Sequence, residues 1–154
     1  MSKKVMVCFD YERDLWRANR VLNTWESKLD WDVTGFADVA AWQNVKLRGT
    51  YGVNRWVTDE LYGTSATIIL IGTLTSKQAH VLHAIQQSVK QGNGLVLIDI
   101  HNIRDQDLKL APKGQNPVEA LTTGAPPANK VAHFDWVSSD GAKNLDSWLT
   151  RVAK

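Results

Sequence analysis

The residues most able to do chemistry in this chain stand just after short apolar runs. Asp10 and Tyr11 follow Lys4 to Phe9, Thr73 follows Ala66 to Ile71, and Asp99, His101 and Asn102 close or follow Gly94 to Ile100. If the runs are parallel strands, these side chains sit at carboxyl ends, where open α/β sheets bind ligands. Their donors and acceptors suit a polar ligand and equally suit caps on neighbouring helices. Tyr11 and Trp16 offer flat faces that can stack on a nucleobase or pack the first helix onto the sheet. The histidines are at 80, 83, 101 and 133. His80 and His83 have helical i, i+3 spacing, but no further ligands join them, so solvated or core histidines are expected and a metal site is not.

Two phosphate cradles are absent. No G-x-G-x-x-G follows the first strand and no P-loop occurs, which argues against a Rossmann dehydrogenase and a P-loop NTPase. A phospho-receiver would need an aspartate ending the third strand and a lysine ending the fifth. Ile71-Gly72 and Asp135-Trp136 stand there instead.

The pattern that must position these groups alternates strand and helix. Lys4 to Phe9 reads as a buried strand, and Leu15, Trp16, Val21, Leu22 and Trp25 mark one face of an amphipathic helix. Trp31 to Phe36 is a shorter strand, and 38–60 reads as loop with short helices. Ala66 to Ile71 is a run rich in β-branched residues, of the kind a central parallel strand buried on both faces requires. Thr75 or Ser76 is expected to cap a helix reaching Gln91, with Gly92 at its end. Gly94 to Ile100 is another buried strand. The segment 102–130 holds all four prolines and reads as loop, with one helical turn at Pro117 to Leu121. Val131 to Trp136 is the last strand, and Ser139 or Asp140 is expected to cap a helix through Val152. The expected architecture is therefore a three-layer, flavodoxin-like α/β fold with an open parallel sheet of five strands in order 2-1-3-4-5. A length of 154 residues suits a single domain spanning 1–154.

Composition narrows the partners. The 18 basic and 16 acidic residues leave a net charge of +2 without a run of either sign, so no nucleic-acid or anionic-membrane partner is indicated. No apolar stretch is long enough to span a bilayer and no signal h-region follows Met1, so a cytoplasmic location is expected. Cys8 is the only cysteine and lies within an apolar run, which makes it a small core residue. Seven tryptophans are unusual for this length, and most are expected to pack the core or its rim.

Val5 to Trp25, V-M-V-C-F-D-Y-E-R-D-L-W-R-A-N-R-V-L-N-T-W, resembles the opening signature of bacterial TIR-like domains of the Thoeris antiphage type. Q-G-N-G-L-V-L-I-D-I-H-N-I-R-D from Gln91, followed by K-G-Q-N-P from Lys113, resembles a second signature of that family. The resemblance covers about Lys4 to Leu121. It implies an enzyme that binds NAD+ as substrate without a further cofactor. Such an enzyme cleaves the nicotinamide-ribose bond and releases an ADP-ribose-derived, cyclic or linear signal for a separate effector. Self-association and a phage-derived trigger are implied partners. By carry-over, Phe9, Asp10, Tyr11 and Arg13 are expected at the nucleotide pocket, with His83, Asp99, His101 and Asn102 as further binding candidates.

The family carries its catalytic glutamate on the helix after the third strand, in a W-x-x-x-E-like pattern. Here His80 falls at the aromatic position and Ala84 at the glutamate. That departure leaves two origins open, a natural loss or a replacement made to trap substrate, the second favoured because the surrounding motif is intact. Either way the resemblance implies that the chain as written cleaves NAD+ poorly. A catalytically silent nucleotide-binding or scaffold module is the alternative. A nucleoside deoxyribosyltransferase-like enzyme shares the fold but also needs a carboxylate nucleophile.

Overall fold

A computed structural model describes residues 3–154. Five parallel strands form one sheet in the order β2-β1-β3-β4-β5. They are β1 (Lys3–Cys8), β2 (Trp31–Thr34), β3 (Ala66–Ile71), β4 (Gly94–Asp99) and β5 (Val131–Asp135). The helices are α1 (Leu15–Thr24), α2 (Val39–Lys46), α3 (Gly49–Leu61), α4 (Ala79–Lys90) and α5 (Gly141–Val152). Helices connect β1 to β2, β2 to β3 and β3 to β4, while β4 reaches β5 through a long segment with two short 3-10 turns, and the result is the expected order.

The period-two geometry of a strand sends alternate residues to opposite faces, and the core divides accordingly. Val5 and Val7 join a cluster with Ala18 and Val21 of α1 and Leu145, Trp148 and Leu149 of α5. Met6 and Cys8 join the other, with Val57 and Leu61 of α3 and Val81, Ala84 and Ile85 of α4. Every residue of β3 and β4 is buried, because helices cover both faces of these central strands. Five of the tryptophans are buried, Trp56 is half-buried and Trp16 is largely exposed. Burial also pushes the Cys8 thiol up to about 12, so it packs as an unreactive core group.

Three local expectations are corrected. Segment 38–60, expected as loop with short helices, is almost wholly helical, in α2 and the longer α3, with α2 capped by the Asp38 side chain, which accepts from the Ala41 amide at 2.8 Å. Thr75 and Ser76 belong to a 3-10 turn, and α4 begins after Gln78 without a side-chain cap. The Thr75 hydroxyl instead accepts from the Gly72 amide at 2.8 Å, tying the turn to the end of β3. At α5, Asp140 occupies the cap position in the left-handed region, φ 51°, with no side-chain hydrogen bond to the helix.

Gly94 opens β4 where the end of α5 crosses the sheet. A methyl group there would lie 2.0 Å from the Val152 carbonyl oxygen. Because the obstacle is backbone, Gly94→Ala is expected to lower unfolding free energy by about 3 kcal/mol, the upper end for overpacking. Urea denaturation checks this, and an unchanged midpoint would refute the close approach.

Candidate nucleotide-binding cleft

The turn after β1 is built by Asp10. Its Oδ1 accepts from the backbone amides of Glu12 at 3.2 Å and Arg13 at 3.3 Å, and its Oδ2 accepts from the Arg13 guanidinium at 3.1 Å. Asp10 is buried, so it acts first as the organiser of this loop and as the anchor for Arg13. Tyr11 points inward. Its hydroxyl donates to the Gly35 carbonyl at 2.6 Å, and burial holds its pKa well above the ordinary value.

Around Tyr11 the chain assembles rings from four elements. Phe9 lies 4.4 Å away between centroids, Trp42 of α2 4.7 Å, His80 of α4 5.2 Å in a stacked arrangement, and Trp56 of α3 5.8 Å edge-on. His80 Nε2 lies 2.8 Å from the Phe9 carbonyl. A carbonyl can only accept, so this nitrogen carries the proton. Burial depresses the His80 pKa despite that bond, and the ring is neutral near pH 7.

Outside this stack lies a cleft of about 530 Å³, walled by Trp42 and His80 and bordered by Arg13, Lys46, Thr50, Asn54 and Gln78. Lys46 pairs with Glu12, and that hydrogen bond holds the exposed Glu12 carboxyl below the usual carboxylate range. An aromatic wall, two cations and neutral amides suit a flat, phosphorylated ligand.

Ala84 lies one turn beyond His80 on α4 and is fully buried within the apolar cluster that includes Met6, Cys8 and Ile71. One turn further, the Ser88 hydroxyl lies 2.7 Å from that of Thr67. The face His80-Ala84-Ser88 therefore lies against the sheet, and Ala84 is its apolar midpoint. His83 falls on another side of the helix, half-buried beside Thr58, with its pKa lowered by burial.

Of the expected binding residues Arg13 alone lines this cleft. Phe9 and Tyr11 are fully buried behind its aromatic wall, Asp10 is buried in the turn, and His83, Asp99, His101 and Asn102 lie elsewhere, because the first strand's end points its rings into the core. Asp99 Oδ2 lies 3.0 Å from His133 Nε2, across the β4-β5 pair. Asn102 donates to Asp135 at 2.9 Å, and His101 Nδ1 is a buried atom without a hydrogen-bond partner. Strand-end placement brought these residues to the same edge of the sheet, but the order 2-1-3-4-5 separates the β4-β5 end from the β1 cleft.

Sequence reasoning missed two buried charges. Arg17, on the polar side of the expected amphipathic pattern, is buried and donates to the carbonyls of Ile103 at 2.7 Å and Lys109 at 3.1 Å. Asp14 precedes α1 and is buried beside Gly72, with Oδ2 unpartnered. Burial, then the charge of Asp10, raises its pKa from 3.8 to about 6, against the opposing pull of Arg17 and Arg13. Charge type alone pointed to solvent for both, since their burial depends on loops that return from far along the chain.

Among the described residues no helix is long and apolar enough to cross a membrane. Among solved structures, the Clostridium botulinum CMP N-glycosidase BcmB aligns with a TM-score of 0.50 at 14% identity, covering 96% of this chain and 100% of that one. This likeness speaks for the fold. A Bacillus cereus (strain MSX-D12) protein named "Putative cyclic ADP-D-ribose synthase ThsB1" is 30% identical over 154 residues, 99% of this chain and 80% of the relative. The model of the family described as Thoeris protein ThsB, TIR-like domain, matches residues 6–105, from β1 through the loop after β4. With two-thirds of its length inside that match and a relative aligned nearly end to end, the chain belongs to the Thoeris ThsB TIR-like domain family.

Proposed function

We propose that the cleft between the β1 turn, α2, α3 and the start of α4 binds NAD+, in a domain whose lineage cleaves the nicotinamide-ribose bond. The product would be an ADP-ribose-derived, cyclic signal read by a separate effector in the cytoplasm, after a phage-derived trigger and self-association. The observation that carries the reading is the cleft itself, where the Trp42 and His80 rings meet Arg13 and Lys46 at the carboxyl end of β1. The relative named for cyclic ADP-D-ribose synthesis supports the same substrate class.

In this assignment Arg13 and Lys46 neutralise the pyrophosphate, Trp42 stacks on a ring, and Asn54 and Gln78 offer amides to hydroxyls. The cationic nicotinamide is already a good leaving group. The protein must hold the ribose while oxocarbenium character develops, which a carboxylate does by opposing the growing positive charge. At position 84 the family's carboxylate is replaced by a methyl group. A helical side chain leans toward the turn before it, so a glutamate at 84 would extend toward His80 and the cleft. The chain as it stands is therefore proposed to hold NAD+ without efficient cleavage, and the burial of Ala84 in an apolar layer also favours a silent binding module.

Titration calorimetry tests the cleft. NAD+ is expected to bind the unmodified chain, and Arg13→Ala and Lys46→Ala are each expected to weaken it about 10-fold, as for loss of a charge-assisted hydrogen bond. No binding, or binding indifferent to both substitutions, would overturn the assignment.

A further inference from the structure

A second groove, of about 660 Å³, lies at the far side of α1, between that helix, the loop after β4 and the start of α5. It shares no lining residue with the NAD+ cleft. One wall is Trp16, 47% exposed although it is a large ring in the first turn of the amphipathic helix α1. Ile103 and the nearly buried Trp136 also line it, and Arg20 and Arg104 contribute guanidinium groups. Arg20 follows Trp16 by four residues and so lies on the same helix face.

The loop wall is built rather than loose. Buried Arg17 pins it to α1 through the Ile103 and Lys109 carbonyls. Asp105 Oδ1 accepts from the amides of Asp107 and Lys109, and Arg104 donates to the Leu108 carbonyl. This network holds Leu108 at φ 61°. The described residues contain two non-glycine positions with positive φ, Leu108 and Asp140, and both border this groove. Strained backbone held by surrounding bonds concentrates at ligand sites.

Charge decides the ligand class. Neither Arg20 nor Arg104 takes part in an ion pair among the described residues, and Asp105 spends one carboxylate oxygen on its own loop. The groove thus offers an open indole face, an apolar floor and two guanidinium groups outside any ion pair among the described residues, one of them also bonded to the Leu108 carbonyl, with the Asp105 and Asp140 carboxylates in its lining for hydroxyl donors. We propose that this groove is a second ligand site, for a nucleoside monophosphate whose base stacks on Trp16 and whose phosphate meets Arg20 and Arg104. The site stands independently of the NAD+ reading.

The probe is adenosine 5′-monophosphate, added to the full chain and followed through the Trp16 indole N–H resonance, identified by its absence in Trp16→Ala. Saturable movement of that resonance is expected, with affinity at least ~10-fold weaker in Trp16→Ala by calorimetry and partly recovered in Trp16→Phe, as for base-aromatic stacking. The double variant Arg20→Ala/Arg104→Ala should weaken binding similarly, and Lys46→Ala should leave the movement of the Trp16 resonance unchanged. A Trp16 resonance that does not move on addition of the probe would overturn the proposal, as would loss of that movement in Lys46→Ala, which would place the probe in the NAD+ cleft. A change in self-association alone, without an effect on the nucleotide, would also overturn it and mark the groove as a contact between copies. Because Lys46→Ala reports the cleft and Trp16→Ala the groove, either site can fail without the other.

Discussion

Ala84→Glu is expected to raise nicotinamide release from NAD+ by about 10²–10⁴-fold over the unmodified chain, the range supplied by a well-placed acid-base group. Ala84 shares a helix face with His80, whose ring contacts the Tyr11 and Trp42 rings at the cleft, and a longer side chain at 84 leans that way. The substitution carries a cost, because residue 84 is fully buried among apolar side chains and a carboxylate there loses hydration. Stability should fall by several kcal/mol, and the new carboxyl should titrate well above the usual range. Ala84→Gln separates chemistry from shape, since it has nearly the same size and no charge. Mass spectrometry of products from both variants, at high protein concentration and with NAD+ binding measured in parallel, decides the matter. Release by the glutamate variant alone establishes an enzyme lacking its carboxylate. Retained binding with no release by either variant would favour the silent module.

The second large effect concerns Asp14. Its carboxyl is buried, one oxygen is unpartnered, and its pKa stands at about 6 against 3.8 for an ordinary aspartate. The folded state therefore holds the proton more tightly than the unfolded chain. Stability linked to this group is full below pH 3.8 and is lost as pH rises through about 6, a total of about 3 kcal/mol. Asp14→Asn removes the charge while keeping the shape. The variant is expected to match the unmodified protein near pH 4 and to exceed it by about 3 kcal/mol near pH 8. Urea denaturation at both values checks this. Equal stability at pH 8 would show that Asp14 is hydrated or paired in the folded protein.

These effects lie at different distances from what the chain alone discloses. The run Ala66–Ile71 matches β3 residue for residue, because five apolar residues interrupted only by β-branched Thr67 suit few environments other than a strand covered on both faces. The order 2-1-3-4-5 was equally legible, since strands alternating with helices leave few right-handed, unknotted arrangements. The family was carried by the motifs at Val5 to Trp25 and Gln91 to Asp105, and the matched region, 6–105, contains all of both but Val5 and ends before the K-G-Q-N-P segment at Lys113. By contrast, α3 was obscured because its apolar residues, including Val57 and Leu61, are spaced among Gly49, Gly52 and polar residues of weak helix propensity, and α2 because it is only eight residues long.

Of the residues lining the candidate cleft, Arg13 alone was legible as a binding residue. Phe9, Asp10, Tyr11 and Arg13 are consecutive or nearly so, and the turn after β1 gathers them locally. Trp42, Lys46 and His80 join them only because α2 and α4 converge on that end of the sheet. Asp99, His101 and Asn102 share the strand-end signature of Asp10 and Tyr11, yet they stand around β4 and β5, two or more strands from β1. The sequence by itself determined the elements, their order and the family, because periodicity and short motifs are local properties of the chain. Only the tertiary structure decided which strand-end groups meet, that Arg17 and Asp14 are buried, and that Ala84 lies beneath the helix. Those outcomes depend on segments far apart in the chain being packed against one another, and no local pattern records that distance.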